Sequence, residues 1–268
     1  MKRALMLAAL LVSGCKVHGD NGFVAPHTTG GGTTPAGSSP PPSSGPPVQN
    51  ALPGGIFTGT LSSSNSSTDT VIAIVTDAGE ARLIDVSTGK FFLLQLNTQG
   101  NTASGSFTGY APPGMTFSGA GQTETGTVDV TIQSRSQISG TYATQANAVN
   151  GSISLKYSAA DYERGSSLTS LPGTFAGTVG GVALTLTIQN DGSYSGADGS
   201  GCNFTGNFSI IDSRFNAYRQ TFNSACPGRG SHSDTGLAYL TPASGSGASI
   251  TFAVSDSSSF VALTVQKQ

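Results

Sequence analysis

The sequence predicts an all-β protein: two small antiparallel β-barrels, or sandwiches, in tandem behind a disordered tether. Three observations carry this. Apolar and polar residues alternate, as in Val182, Leu184, Leu186 and Ile188 against Ala183, Thr185, Thr187 and Gln189. The same holds for Val128, Val130 and Ile132 against Asp129, Thr131 and Gln133, and for Ile153, Leu155 and Tyr157 against Ser152, Ser154 and Lys156. A period of two gives a strand one buried face and one wet face. Turn signals recur about every 8–12 residues, the spacing of a barrel or sandwich. Finally, Leu52-Pro-Gly-Gly-Ile-Phe-Thr-Gly-Thr-Leu61 returns as Leu171-Pro-Gly-Thr-Phe-Ala-Gly-Thr-Val179. A second strand and a Gly turn follow each copy, at Asp77-Ala-Gly79 and Asn190-Asp-Gly192. The domains are therefore 52–170 and 171–268, and the second is expected to fold without the first.

The N-terminus is a targeting segment. Lys2 and Arg3 precede an apolar run over residues 4–12, too short to span a bilayer as a helix. Val12-Ser13-Gly14 then sets small residues before Cys15. This arrangement resembles a bacterial lipoprotein signal peptide with its lipobox. The resemblance implies that residues 1–14 are removed and that Cys15 is lipidated, with diacylglycerol on its sulfur and fatty acyl chains such as palmitate. The partner it implies is a membrane, reached through lipid rather than a span. Lys16, where the enterobacterial pattern would need Asp for retention, implies delivery to the outer membrane of the cell envelope; either face remains open.

Residues 15–51 form the tether. Thr28-Thr-Gly-Gly-Gly-Thr-Thr-Pro-Ala-Gly-Ser-Ser-Pro-Pro-Pro-Ser-Ser-Gly-Pro-Pro47 has no apolar periodicity and cannot bury a core. Its Gly-rich start is flexible, and its Pro-rich end favours extended polyproline II. His18 and His27 lie here as solvated residues.

With Cys15 acylated, Cys202 and Cys226 remain of the three cysteines. An exported chain meets an oxidising compartment, so these two are expected to form a disulfide. Two isolated cysteines leave a zinc shell unfilled. The strand pattern supports the pairing. A hairpin centred near Arg214 sets Cys202 opposite Cys226 and puts Phe204, Phe208, Ile210, Tyr218 and Phe222 on one face. A slip of one residue would bury Asn203, Thr205, Asn207 and Ser209 instead. The run Phe91-Phe-Leu-Leu-Gln-Leu96 breaks the alternation and is read as covered on both faces. Each domain divides into about eight short strands, enough to close a small barrel. A transmembrane barrel is disfavoured, since Trp is absent and many strands are shorter than the roughly 9–11 residues needed to span.

A lipidated cysteine, a Gly-rich tether and tandem β-domains are similar to bacterial surface lipoproteins of the factor H-binding and transferrin-binding type. The similarity is one of architecture, and no binding residue is carried over from it.

Motifs for chemistry are sparse. The formal charge is −2 with 10% charged residues, which gives no electrostatic footprint for nucleic acid. Ser231-His232-Ser-Asp234 holds triad ingredients, but a triad is assembled from distant segments, and Pro227 to Gly236 reads as a loop. Asp191-Gly-Ser-Tyr-Ser-Gly196 resembles the start of a calcium loop; position twelve is Cys202 rather than Glu, so a hairpin turn at Asn190-Asp-Gly192 fits better. Asp161-Tyr-Glu-Arg164 reads as a solvated connection between domains. The sequence therefore assigns no catalytic, metal-binding or cofactor-binding residue and no cofactor. The leading expectation is a noncatalytic binding or adhesion module whose ligand, a protein or a small molecule, is unspecified. A structural or assembly lipoprotein of the outer membrane is the alternative, and an envelope hydrolase with a scattered site the third.

Overall fold

The computed structural model describes residues 49–268 apart from 65–66, 118–120, 147–148, 229, 243–246 and 257–258. Two closed eight-stranded barrels follow one another along the chain. The first is built from β1 (Gly55–Ser63), β2 (Thr68–Val75), β3 (Glu80–Asp85), β4 (Phe91–Gln99), β5 (Thr102–Tyr110), β6 (Thr123–Gln133), β7 (Gln137–Thr144) and β8 (Asn150–Tyr157). Each strand pairs antiparallel with the next, and β8 returns to β1 with Phe57 opposite Tyr157. A short helix α1 (Ala159–Tyr162) and a 3₁₀ turn at Leu168–Ser170 lead to the second barrel. That barrel comprises β9 (Gly173–Val179), β10 (Val182–Ile188), β11 (Ser193–Asp198), β12 (Asn203–Ile210), β13 (Tyr218–Cys226), β14 (Gly230–Thr241), β15 (Ser249–Ser255) and β16 (Phe260–Lys267). It closes through Gln266 opposite Ala176 and Lys267 opposite Phe175.

The alternation in the sequence is the alternation in the walls. Along β6 every second residue is buried, ending in Val128, Val130 and Ile132. Leu184, Leu186 and Ile188 do the same on β10. The repeated opening has one structural meaning in both copies: Phe57 and Phe175 are fully buried in their respective cores. Two residues on from Phe57, Gly59 lies where β1 and β8 approach so closely that a Cβ would sit 1.9 Å from the main-chain oxygen of Ser154. Backbone cannot give way as a flexible side chain can. Gly59→Ala is therefore expected to cost the first barrel about 1–3 kcal/mol, read as a lowered chemical-denaturation midpoint.

The β12–β13 hairpin adopts the expected register, with Phe204 opposite Ser224 and Ile210 opposite Tyr218. Phe204, Phe208, Tyr218 and Phe222 face the core, while Asn203, Thr205 and Asn207 face out. Ile210 departs from the expectation, being 39% exposed. It sits at the hairpin tip, beyond the reach of the barrel interior. The inner face instead takes up Gln220, which is fully buried and donates to the Tyr194 hydroxyl at 2.8 Å.

Both faces of the 91–96 run are covered, for a reason visible only in the assembled fold. Leu94 and Leu96 face the first barrel's interior, with Phe92 packed against the same core. Phe91 and Leu93 face out, onto Ala253, Phe260 and Ala262 of the second barrel. The rings of Phe91 and Phe260 stack at 5.4 Å. A second apolar cluster joins Ile56 and Ile74 to Ala217, Leu237 and Tyr239, with Tyr162 from α1 between them. The 161–164 connection is thus only partly solvated: Asp161 and Arg164 pair at 3.1 Å, whereas Tyr162 is 3% exposed and stacks on Phe215. Glu80 bridges the barrels, contacting Arg82 at 2.8 Å on its own strand and Arg219 of β13 at 2.7 Å. The interior-facing cores and these two outer clusters make residues 47–268 one compact unit.

Candidate functional site

The two barrels share a topology and differ in what fills them. In the second, Phe175, Tyr194, Phe204, Phe208, Tyr218, Phe222 and Phe252 occupy the interior. In the first, much of the corresponding wall is small: Val71, Ala73, Val75, Ala81, Ala103, Val128 and Val130. Side-chain volume therefore completes one interior and leaves space in the other. The space is a cavity of about 320 Å³, open at one end of the first barrel.

The cavity lies at the end where the β1–β2, β3–β4, β5–β6 and β7–β8 connections gather. The opposite end is the floor. There the entering chain closes the barrel: the Ala51 amide bonds to the Gly100 carbonyl at 2.7 Å, and Ala51 packs on the core. The apolar wall is formed by Leu61, Leu83, Phe92, Leu94, Phe107, Val128 and Ile153. The rim carries Asp69, Lys90, Glu124, Tyr142 and Thr144.

Each rim group is placed by its strand. Asp69 shares the inward parity of Val71 and Ala73 on β2. Glu124 shares that of Val128 and Val130 on β6, and Tyr142 follows Ile138 on β7. Lys90 immediately precedes β4 and aligns with the inward Phe92 and Leu94. Its loop is held by buried Asp85, which accepts from the Ser87 amide at 2.8 Å, from the Thr88 amide at 3.1 Å and from the Thr88 hydroxyl.

The electrostatics are unusual for a surface opening. Glu124 is 8% exposed, and burial raises its pKa against the opposing influence of the Thr144 hydroxyl and Lys90. The Asp69 carboxyl is also raised, by burial and then by Asp85, with Lys90 acting the other way. Burial raises the Tyr142 phenol too, and both carboxylates add to that shift. These groups therefore act on one another across the mouth. Among the described residues, however, neither Asp69 nor Lys90 enters an ion pair, and the Asp69 carboxylate accepts no hydrogen bond. The Lys90 ammonium instead lies 5.0 Å from the centre of the Phe117 ring, a cation–π contact.

The second barrel is corked at the equivalent end. Cys202 and Cys226 form a disulfide, as expected, with Cys202 4% exposed. The Phe204 and Phe222 rings lie beside it, 5.2 Å apart. Cys202 immediately precedes β12 as Lys90 precedes β4, and each stands two residues before an inward phenylalanine, Phe204 or Phe92. The same position thus carries a cork in one barrel and a charge at an open mouth in the other.

The remaining sequence candidates are separated by the fold. Cys15, His18 and His27 lie outside the described residues. The segment from Gly230 onward is strand β14 rather than a loop, because it pairs with β13 from Cys226 opposite Gly230 inward. Alternation then sends His232 and Asp234 to one face and Ser231 and Ser233 to the other, so they form no triad. His232 instead approaches Asp256, with Nδ1 at 3.7 Å from a carboxylate oxygen. Asp191 serves the expected hairpin turn, its carboxylate accepting from the Ser193 amide at 2.9 Å, with Gly192 at φ +83°. No cluster of three or more His, Cys, Asp or Glu suited to a metal ion occurs among the described residues.

The rim residues escaped the sequence reading, yet a signal was present. Asp69, Lys90 and Glu124 are charges on the apolar parity of otherwise alternating strands. In a filled barrel such a charge would be buried without a partner, at high cost.

No protein-family model matches the chain, and no curated protein matches it. The fold defines the class, a tandem pair of closed eight-stranded antiparallel barrels, one open and one filled.

Proposed function

We propose that this protein is a lipid-anchored envelope lipoprotein whose first barrel binds a small apolar or amphipathic molecule without converting it. The cavity carries this reading. Its volume of about 320 Å³ lies at the lower end of ligand pockets, and its apolar wall with a few convergent polar groups is their usual lining. The second barrel, corked and filled, braces the first through their shared apolar faces. An anchor at Cys15, followed by the Gly/Pro-rich tether, would hold the pair at the outer membrane.

The binding reading is tested with octanol, a neutral probe, by calorimetric titration. Octanol is expected to bind the wild type with one-to-one stoichiometry. Val128→Trp places an indole in the cavity and is expected to abolish that binding while the thermal transition stays cooperative. Octanol binding unaltered by Val128→Trp would count against the cavity as the site. The anchor is tested separately. Cys15→Ser is expected to lose palmitate labelling and to move the protein from the membrane to the soluble fraction.

A further inference from the structure

We infer that the first barrel's ligand is an amphiphile with a cationic head, whose tail lies on the apolar wall and whose head meets the carboxylates of Asp69 and Glu124. This rests on the binding reading above and names its ligand class. The tail follows from Leu83, Phe92, Leu94, Phe107 and Val128, which offer the deeper cavity no hydrogen-bonding side chain. The head follows from the charge count at the rim, two carboxylates against one ammonium.

The three charges are not equally in need of a partner. Lys90 already rests against the Phe117 ring, and its long stem lets the ammonium move to solvent when a second cation arrives. Asp69 accepts no hydrogen bond and enters no ion pair among the described residues, Lys90 acting on it only at longer range. Glu124 is almost wholly withdrawn from water, with the Thr144 hydroxyl bonded to it and Lys90 acting on it without forming an ion pair. A partly desolvated carboxylate gains more from an incoming cation than a solvated one does. An anionic head would gain Lys90 and suffer both carboxylates. Charge complementarity therefore selects the cation.

A pH dependence follows from the same groups. Burial raises both carboxyl pKa values above the ordinary range. As pH falls through those raised values, Asp69 and Glu124 take up protons and the rim loses its negative charge. The groups facing them are Lys90, Tyr142 and Asp85, and burial raises the Tyr142 phenol. The cation's advantage is thus present above the raised carboxyl values and lost as pH falls through them.

Three probes with one tail test this: octylamine, octanol and octanoate, titrated into the full chain. The expected order of affinity at neutral pH is octylamine, octanol, octanoate, with about five- to tenfold between the first two. Acidification through the raised carboxyl values is expected to bring octylamine toward the level of octanol. Asp69→Asn combined with Glu124→Gln should do the same at neutral pH, with a cooperative melt showing that the barrel remains folded. If octanol binds but octylamine binds no better, or octanoate binds best, the cationic head is overturned and the cavity stands. If none of the three binds, both readings fall.

Discussion

Replacing Cys202 and Cys226 together by alanine is expected to lower the stability of the second barrel by roughly 3–4 kcal/mol. The bond spans a sequence separation of 24 and so removes a moderate loop from the unfolded ensemble. The effect should be large because typical domain stabilities are only about 5–15 kcal/mol. It should also be local. Both cysteines pack in the second barrel's own core, and neither belongs to the clusters that join the barrels. Scanning calorimetry should show the loss, and peptide mapping without reduction should recover Cys202 linked to Cys226 from native protein. Free thiols at both positions in native protein purified without reductant would refute the bond as a native feature.

Leu237→Asp is the second large effect. Leu237 is fully buried on the outer face of β14, against Ile56, Ile74 and Tyr162. A carboxylate there would lie in an apolar cluster, and the cross-strand Arg219 is already held by Glu80, so the cost is expected to be about 3–5 kcal/mol. The loss should fall on the contact between barrels rather than on either interior. The wild type is expected to melt in one cooperative transition and the variant in two, with each barrel still closed. A single transition at the wild-type temperature would show that this contact adds nothing to stability. The fragment 171–268 carries a complete closed barrel, yet alone it would bare Leu237, Tyr239 and Ala253. It is therefore expected to fold and to self-associate, which ultracentrifugation would detect as a species larger than the monomer.

Much of the fold was legible because strands write their orientation in every second residue. The 182–188 and 128–132 alternations, the duplicated opening and the hairpin register around Arg214 needed only local rules and the requirement that the two thiols meet. The site was less legible. The inward charges Asp69, Lys90 and Glu124 stood on the correct parity, but their strands are far apart in sequence. Nothing local says that the three rims meet, or that small residues on several other strands leave a space beneath them.

The sequence by itself determined the all-β class, the tandem division near residue 171 and the Cys202–Cys226 pairing, since each follows from short-range periodicity or from a covalent option with one partner. Tertiary structure alone decided three other matters. It closed the sheets as barrels rather than sandwiches, through the pairing of first and last strands. It packed Phe91 and Leu93 against the second barrel, giving an apolar run a purpose that alternation could not express. And it left one barrel open while filling its twin. That difference is a sum of side-chain volumes around a closed ring, a quantity that exists only once the ring has formed.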